Sequence, residues 1–235
     1  MKTPMSRHFV VRELARPDPT VVEDLGESGV ATVHDAQHRT GLLAPYMRPI
    51  YPGASVSGPA ITVLVPPGDN WMIHVAVEVC RPGDIMVVSP SSPCPDGYVD
   101  DLLATSLKAR GVKALVIDAG VRNVAELTEM RFPAWSKCIC GQGTVRTSLG
   151  AVNTPILCAG QHISPGDIIV ADDDGVVAVK AEHAVRVADT AARLAVTQQE
   201  ERARLSAGEL SLDIQKMRER LTALGLEYLE HAPEK

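Results

Sequence analysis

Two stretches of this 235-residue chain carry residue types that could do chemistry together. Gly97-Tyr98-Val99-Asp100-Asp101-Leu102-Leu103-Ala104-Thr105-Ser106 reads as a loop running into a helix, and Ala114-Leu115-Val116-Ile117-Asp118-Ala119-Gly120-Val121-Arg122-Asn123 reads as a strand ending in an arginine. The first amides of a helix have no internal acceptor and attract anions. A guanidinium offers paired N–H groups to a carboxylate. A helix N-terminus, an acid at its start and an arginine at the end of the next strand would make a site for a small carboxylate. The same residues also suit a plain helix cap beside a surface arginine, and spacing alone leaves both readings open.

Other motifs carry less. His34-Asp35-Ala36-Gln37-His38 imitates the zinc helix H-E-x-x-H, but Asp stands for Glu and no third ligand is near in sequence, so a structural helix is the better reading. Gly141-Gln142-Gly143 starts like a dinucleotide fingerprint, yet Arg146 occupies the place of the third glycine. Asp172-Asp173-Asp174-Gly175 lacks the spaced oxygens and closing Glu of a calcium loop and reads as a tight acidic turn between strands. Cys138-Ile139-Cys140 would share one strand face, but no second pair at ligand spacing supports a metal there. The five cysteines follow no framework and read as reduced thiols.

The elements that must position such a site alternate between strand and helix up to about residue 180. Helices are expected over 69–80, 97–110 and 124–130, and strands over 60–65, 85–88, 113–118 and 132–140, with a further set of strands between 155 and 179. Three Pro-Gly-Asp triplets, at 67–69, 82–84 and 165–167, read as turn punctuation. From Ala181 to about Ala207 the pattern is a long amphipathic helix, followed by more helix over 211–226. This predicts a core over 1–180 and a helical extension over 181–235 that packs on the core or on a neighbouring subunit. Aromatic residues make up only 3% of the chain, so the core must be aliphatic.

A formal net charge of −6 argues against a nucleic-acid partner and against anionic membranes. Residues 1–14 carry Lys2, Arg7, Arg12 and Glu13 and show no apolar targeting core, and nowhere do 18 apolar residues run together. A cytoplasmic location is the expectation.

The chain resembles the class II pyruvate aldolases that cleave 4-hydroxy-4-methyl-2-oxoglutarate and 4-carboxy-4-hydroxy-2-oxoadipate, which share their fold with the regulator of RNase E activity. The resemblance runs from about Gly29 to Arg218. It rests on Val33-His34-Asp35-Ala36-Gln37, Arg39-Thr40-Gly41-Leu42-Leu43, Pro67-Gly68-Asp69-Asn70-Trp71-Met72-Ile73-His74, the Asp101 to Arg122 segment, Gly143-Thr144-Val145, Ala171 to Gly175, and Gly208-Glu209-Leu210 with Leu212-Asp213. The family pattern is Asp, twenty residues, then Arg-Asp. Asp101 and Arg122 fit it.

The resemblance implies a layered α/β/β/α sandwich with a central mixed sheet and a helical C-terminal extension, assembled as homotrimers or homohexamers. It implies cleavage of a 4-hydroxy-2-oxo acid to pyruvate and a second oxo acid, with oxaloacetate decarboxylation as a side activity. The amides of Leu102 and Leu103 and the Arg122 guanidinium would hold the 2-oxo acid, with Asn70 and Arg146 also in contact. Mg²⁺ or Mn²⁺ would chelate the same oxo acid, Asp101 would orient metal-bound water, and a carboxylate of a neighbouring subunit, with Glu200, Glu201 and Glu209 as candidates, would complete the site.

One departure cuts against this. The second acid of the family's Arg-Asp pair, its direct metal ligand, is Asn123, and an amide oxygen brings no charge to a hard cation. Asp100 stands where the family tends to have Gly, Arg146 where it often has Lys, and Ser211, Gln215 and Lys216 replace its Gly, Tyr and Gly. Such a set reads as natural divergence in preference to a single engineered substitution at 123, which would leave the other positions alone. Two functions therefore stay open: a metal-dependent lyase with ligands at Asp101 and Asn123, where Asp100 or His38 would add the ligand capacity lost at 123, or a diverged non-aldolase paralogue that keeps the oxo-acid pocket as a binding or regulatory protein.

Overall fold

The computed structural model describes residues 8–231. Residues 1–7, part of the segment read above as lacking a targeting core, lie outside the described residues, as do residues 232–235, the end of the expected extension. Twelve strands are described: β1 Phe9–Val10, β2 Arg48–Pro49, β3 Val56–Val65, β4 Ile85–Pro90, β5 Gly97–Val99, β6 Ala114–Val121, β7 Ala134–Ile139, β8 Ala151–Val152, β9 Ile156–Cys158, β10 Gln161–Ile163, β11 Ile168–Asp172 and β12 Gly175–Val179. The helices are α1 Pro19–Ala36, α2 Trp71–Ala76, α3 Asp101–Ala109, α4 Val124–Glu129, α5 Ala184–Ser206, α6 Ser211–Ile214 and α7 Arg218–Ala223. None is long and apolar enough to cross a membrane among the described residues.

The sheet is mixed. Its centre is the parallel run β3-β4-β6-β7, while β8 and β11 join β3 antiparallel and β2 joins β7 antiparallel. Alternation along the strands gives each face its own core. Met86, Val88, Leu115 and Ile117 face one side, where they meet Met72 and Ile73 of α2, Leu103 and Leu107 of α3 and Leu127 of α4. Ile85, Val87, Ala114 and Val116 face the other, against Ile156, Ile163, Ile169 and Val176 of the second β layer. Helix α1 packs outside that layer on β11, β12 and β3. This is the expected α/β/β/α sandwich, and its core is aliphatic apart from a few rings such as Trp135, Tyr98 and Phe132.

Two compact units divide the chain, Met1–Ala192 and Arg193–Lys235. Within the second, Arg204 pairs with Glu209, Arg218 with Asp213, and Gln215 donates to Glu201 at 2.9 Å. The left-handed Lys216, at φ 52°, separates α6 from α7, where one continuous helical stretch was expected.

Local expectations fail in instructive places. Gly97–Val99 is a strand paired to β6 rather than the start of α3, because the helix begins only where Asp100 caps it. His38 lies beyond the end of α1 at φ 58°, so His34 and His38 do not stand one above the other on a helix face and no zinc helix exists. The acidic turn is as expected: Asp172 pairs with Gly175, and the Asp172 Oδ2 accepts from the Val30 amide at 2.8 Å where α1 breaks at Gly29. The Pro-Gly-Asp triplets are more than punctuation. Each ends in a buried carboxylate, Asp69, Asp84 or Asp167, that ties distant chain together. Asp84 binds Arg16 through two N–H groups at 2.8 Å each, and Asp167 binds Lys180 at 2.7 Å.

Candidate active site

Helix α3 starts at Asp101 because Asp100, in extended conformation, turns one carboxylate oxygen back to accept from the Leu103 amide at 3.0 Å. This satisfies one of the orphan donors of the helix N-terminus; the Asp101 and Leu102 amides have no intrahelical acceptor either. The other oxygen of Asp100 reaches Arg122 Nη2 at 2.6 Å. Arg122 follows directly on β6, held by its own amide to the Val99 carbonyl at 3.0 Å. Register between β5 and β6 thus places the arginine beside the start of α3.

Space for the guanidinium comes from glycine. A Cβ on Gly143 would stand 2.7 Å from Arg122 Nη1, and one on Gly97 would stand 3.1 Å from the Arg122 Cβ. The Gly141-Gln142-Gly143 run, whose pattern suggested a nucleotide loop, is therefore the wall that receives Arg122. Its Nε is buried and has no hydrogen-bond partner.

Beside this pair lies a pocket of about 320 Å³ lined by Trp71, His74, Asp100, Leu102, Leu103, Ser106 and Arg146. Arg146 is placed by the buried Asp69. That carboxylate accepts from the amides of Thr147 at 2.6 Å, Ser148 at 2.7 Å and Trp71 at 2.9 Å, so one side chain fixes both the loop carrying Arg146 and the start of α2. Val145 adds backbone bonds to Gly68 and Asn70. A second and larger pocket, about 600 Å³, lies elsewhere and is lined by Arg16, Glu23, Ser57 and Lys113 among others. It holds none of the candidate site residues named from sequence.

The charge state of the site follows from these contacts. Burial works to raise the Asp100 carboxyl, but Arg122 and the Leu103 amide outweigh it and leave its pKa below the usual value. Burial likewise opposes ionisation of Asp69, and its bonds to Thr147, Trp71 and Ser148 prevail, again lowering it. At His74, partial desolvation and the nearby Arg146 both lower the pKa, against a smaller opposite pull from Asp100. The imidazole is thereby kept neutral at physiological pH.

The residues named from sequence are distributed unevenly. Leu102, Leu103 and Arg146 line the pocket, and Arg122 reaches it through Asp100. Asn70 does not line it: Asn70 is buried, its Nδ2 donates to the Tyr98 carbonyl at 2.8 Å, and its Oδ1 has no partner. The Asp101 carboxylate makes no hydrogen bond or ion pair among the described residues. Asn123 is exposed and left-handed at φ 56°, a conformation asparagine tolerates, and its side chain caps nothing. Glu200 and Glu201 stand on α5 in the second unit, Glu201 accepting from Gln215. Sequence alone does not mark His74 and Asp69 as site residues. His74 stands one helical turn from Trp71 within the 67–74 motif, which is the available signal.

These donors do not fit a resident Mg²⁺ or Mn²⁺. Asp100 is committed to Arg122 and to the α3 amide, Asp101 brings one uncommitted carboxylate, Asn123 offers a neutral oxygen, and no three His, Cys, Asp or Glu side chains converge among the described residues. What the arrangement can do is bind a small oxo-carboxylate with guanidinium and amide donors, stabilise negative charge that develops on it, and offer a neutral imidazole to a proton.

The family model of the RraA-like Aldolase/RraA family matches residues 30–178. A protein of Halalkalibacterium halodurans provisionally named a 4-hydroxy-4-methyl-2-oxoglutarate aldolase is 31% identical over 147 residues, 63% of this chain and 70% of the relative. Among solved structures, RraAS2 of Streptomyces coelicolor, described as an unusual member of the RNase ES inhibitor RraA protein family, superposes with a TM-score of 0.72 at 28% identity, covering 82% of this chain and 99% of that one. An uncharacterized protein from Pseudomonas syringae gives a TM-score of 0.75 at 26% identity over 86% of this chain and 100% of its own.

Proposed function

The chain belongs to the Aldolase/RraA family, and from that premise we propose that it is a lyase cleaving a 4-hydroxy-2-oxo acid, of the 4-hydroxy-4-methyl-2-oxoglutarate or 4-carboxy-4-hydroxy-2-oxoadipate class, to pyruvate and a second oxo acid. The observation that supports this best is one pocket that brings together Arg146, His74 and the α3 N-terminus, with Arg122 paired to Asp100 of its lining. In the cleavage a base takes the C4 hydroxyl proton, the C3–C4 bond breaks, and its electron pair passes to the 2-oxo oxygen as pyruvate enolate, which is then protonated at C3. The barrier is the charge gathering on that oxygen. Preorganised N–H donors lower such a barrier by about 3 kcal/mol each. Arg122, Arg146 and the free α3 amides are the donors, and His74 is the proton acceptor.

No step is routed through a metal, because the donors described above do not form a ligand set for one. Glu200 or Glu201 from a neighbouring copy is the alternative base to His74, and a homotrimer or homohexamer and a cytoplasmic enzyme without nucleic-acid or membrane partners stand as further proposals. The test is pyruvate release from the two oxo acids, with chelator and with millimolar Mg²⁺.

One observation favours a second reading. The Asp100 carboxylate already holds Arg122 and the Leu103 amide, as expected of a diverged binding or regulatory protein that keeps the pocket without turning over. Binding of oxo acid without pyruvate release would select it.

A further inference from the structure

Arg122 Nη2 and the Leu103 N–H, the two donors that a 2-oxo acid's carboxylate would take, are both bound to Asp100, at 2.6 and 3.0 Å. One oxygen goes to each, as a ligand carboxylate would divide itself. The backbone at Asp100 is extended, at φ −118°, so no glycine is required there and the side chain is tolerated without strain. The position is also more than a helix cap, since a cap needs only the bond to the amide.

We propose that Asp100 is the specificity-determining residue of this pocket, an internal carboxylate that fills the place of a ligand's own carboxylate and sets which acids enter. This rests on the oxo-acid reading above. A simple 2-oxo monoacid must displace Asp100 and then tolerate the freed carboxylate beside its own, two like charges in a partly buried site. A ligand with a further carboxylate has a second anchor in Arg146, which lines the same pocket and has no side-chain partner among the described residues. The site so built therefore favours di- and tricarboxylic oxo acids over pyruvate-like monoacids.

Arg122 itself shows that its present partner is not the best one. Asp100 takes Nη2 alone, while the buried Nε on the same edge of the guanidinium has no acceptor. A carboxylate spanning Nη2 and Nε would satisfy both. Such a ligand can gain a bond that Asp100, held back by the α3 cap, does not make.

The experiment is calorimetric titration of the full chain with pyruvate, a 2-oxo monoacid, and with 2-oxoglutarate, a dicarboxylic one, in the native protein and in Asp100→Gly and Asp100→Ser. Serine keeps an oxygen for the Leu103 amide, so helix α3 stays capped, but it cannot pair with Arg122. Thermal melts confirm that each variant folds. Both variants should bind pyruvate on the order of tenfold tighter or more, with a smaller gain for 2-oxoglutarate, as expected for a freed charge-assisted pair, and adding Arg122→Ala to Asp100→Ser should abolish the gain. Equal affinity in native protein and Asp100→Ser would overturn the role of Asp100 while leaving the oxo-acid pocket standing. No binding to any of the folded proteins would overturn both.

Discussion

Asp69 and Thr147, 78 positions apart, are joined by two hydrogen bonds from one residue to a single carboxylate oxygen: the Thr147 amide at 2.6 Å and its hydroxyl at 3.2 Å. Asp69 is 1% exposed, and its other oxygen receives the Trp71 amide. Two walls of the pocket, the Arg146 loop and the start of α2, therefore hang from one buried charge. Asp69→Ala should cost about 3 kcal/mol, because it leaves buried amides without acceptors. It should also weaken oxo-acid binding. Because the folded-state pKa of Asp69 lies below its ordinary 3.8, its contribution is full above that value and is lost as pH falls through the lower one. Acid unfolding of the native chain against Asp69→Asn reads this pH dependence, and identical acid transitions would contradict it.

His74 gives the reaction a pH signature. Its pKa is lowered from 6.5, so the neutral imidazole persists below that pH, and kcat/KM should hold its plateau there before falling as the pH drops through the lowered value. His74→Gln should remove that limb and reduce kcat by about 10²-fold or more. A profile unchanged in the variant would assign the proton transfer elsewhere, with Glu200 and Glu201 the next groups to replace.

Gly143→Ala isolates the packing of Arg122. The new methyl would stand 2.7 Å from Nη1, which ends a flexible side chain and can give way. Stability should change by less than about 1 kcal/mol, whereas KM should rise about tenfold as the guanidinium leaves its place. Unaltered kinetics in a folded variant would show that the position of Arg122 is unimportant.

Asn123→Asp tests the missing ligand. The left-handed backbone at 123 accepts aspartate as it does asparagine, so the fold should be unaffected. A second hard, charged oxygen should tighten Mn²⁺ binding by about tenfold or more, measured by titration calorimetry. Equal affinity in the two proteins would show that position 123 does not face a cation.

The sequence made the layers and the arginine legible for simple physical reasons. Apolar runs such as Ala114–Val121 are buried on both faces and stand out, and an arginine at the end of such a run has few structural uses. Contacts between distant positions were not legible. Asp69 and Asp84 resembled turn residues because their partners, Thr147 and Arg16, lie 78 and 68 positions away. The family spacing points to Asp101 rather than to Asp100. The cap rule favours an aspartate just before the helix, and the structure puts Asp100 there, with Arg122 as the partner that spacing could not reveal. Gly143 was weighed as a nucleotide motif since nothing local shows which side chain a glycine makes room for.

The most direct test of the account is pyruvate release from 4-carboxy-4-hydroxy-2-oxoadipate and 4-hydroxy-4-methyl-2-oxoglutarate by the native chain and by Arg122→Ala, each with chelator and with millimolar Mg²⁺. The account predicts release by the native protein and a loss of at least about 10²-fold in the variant under the same conditions. Absence of release by the native protein in every condition, with the oxo acids still bound, would contradict the lyase and leave a binding protein.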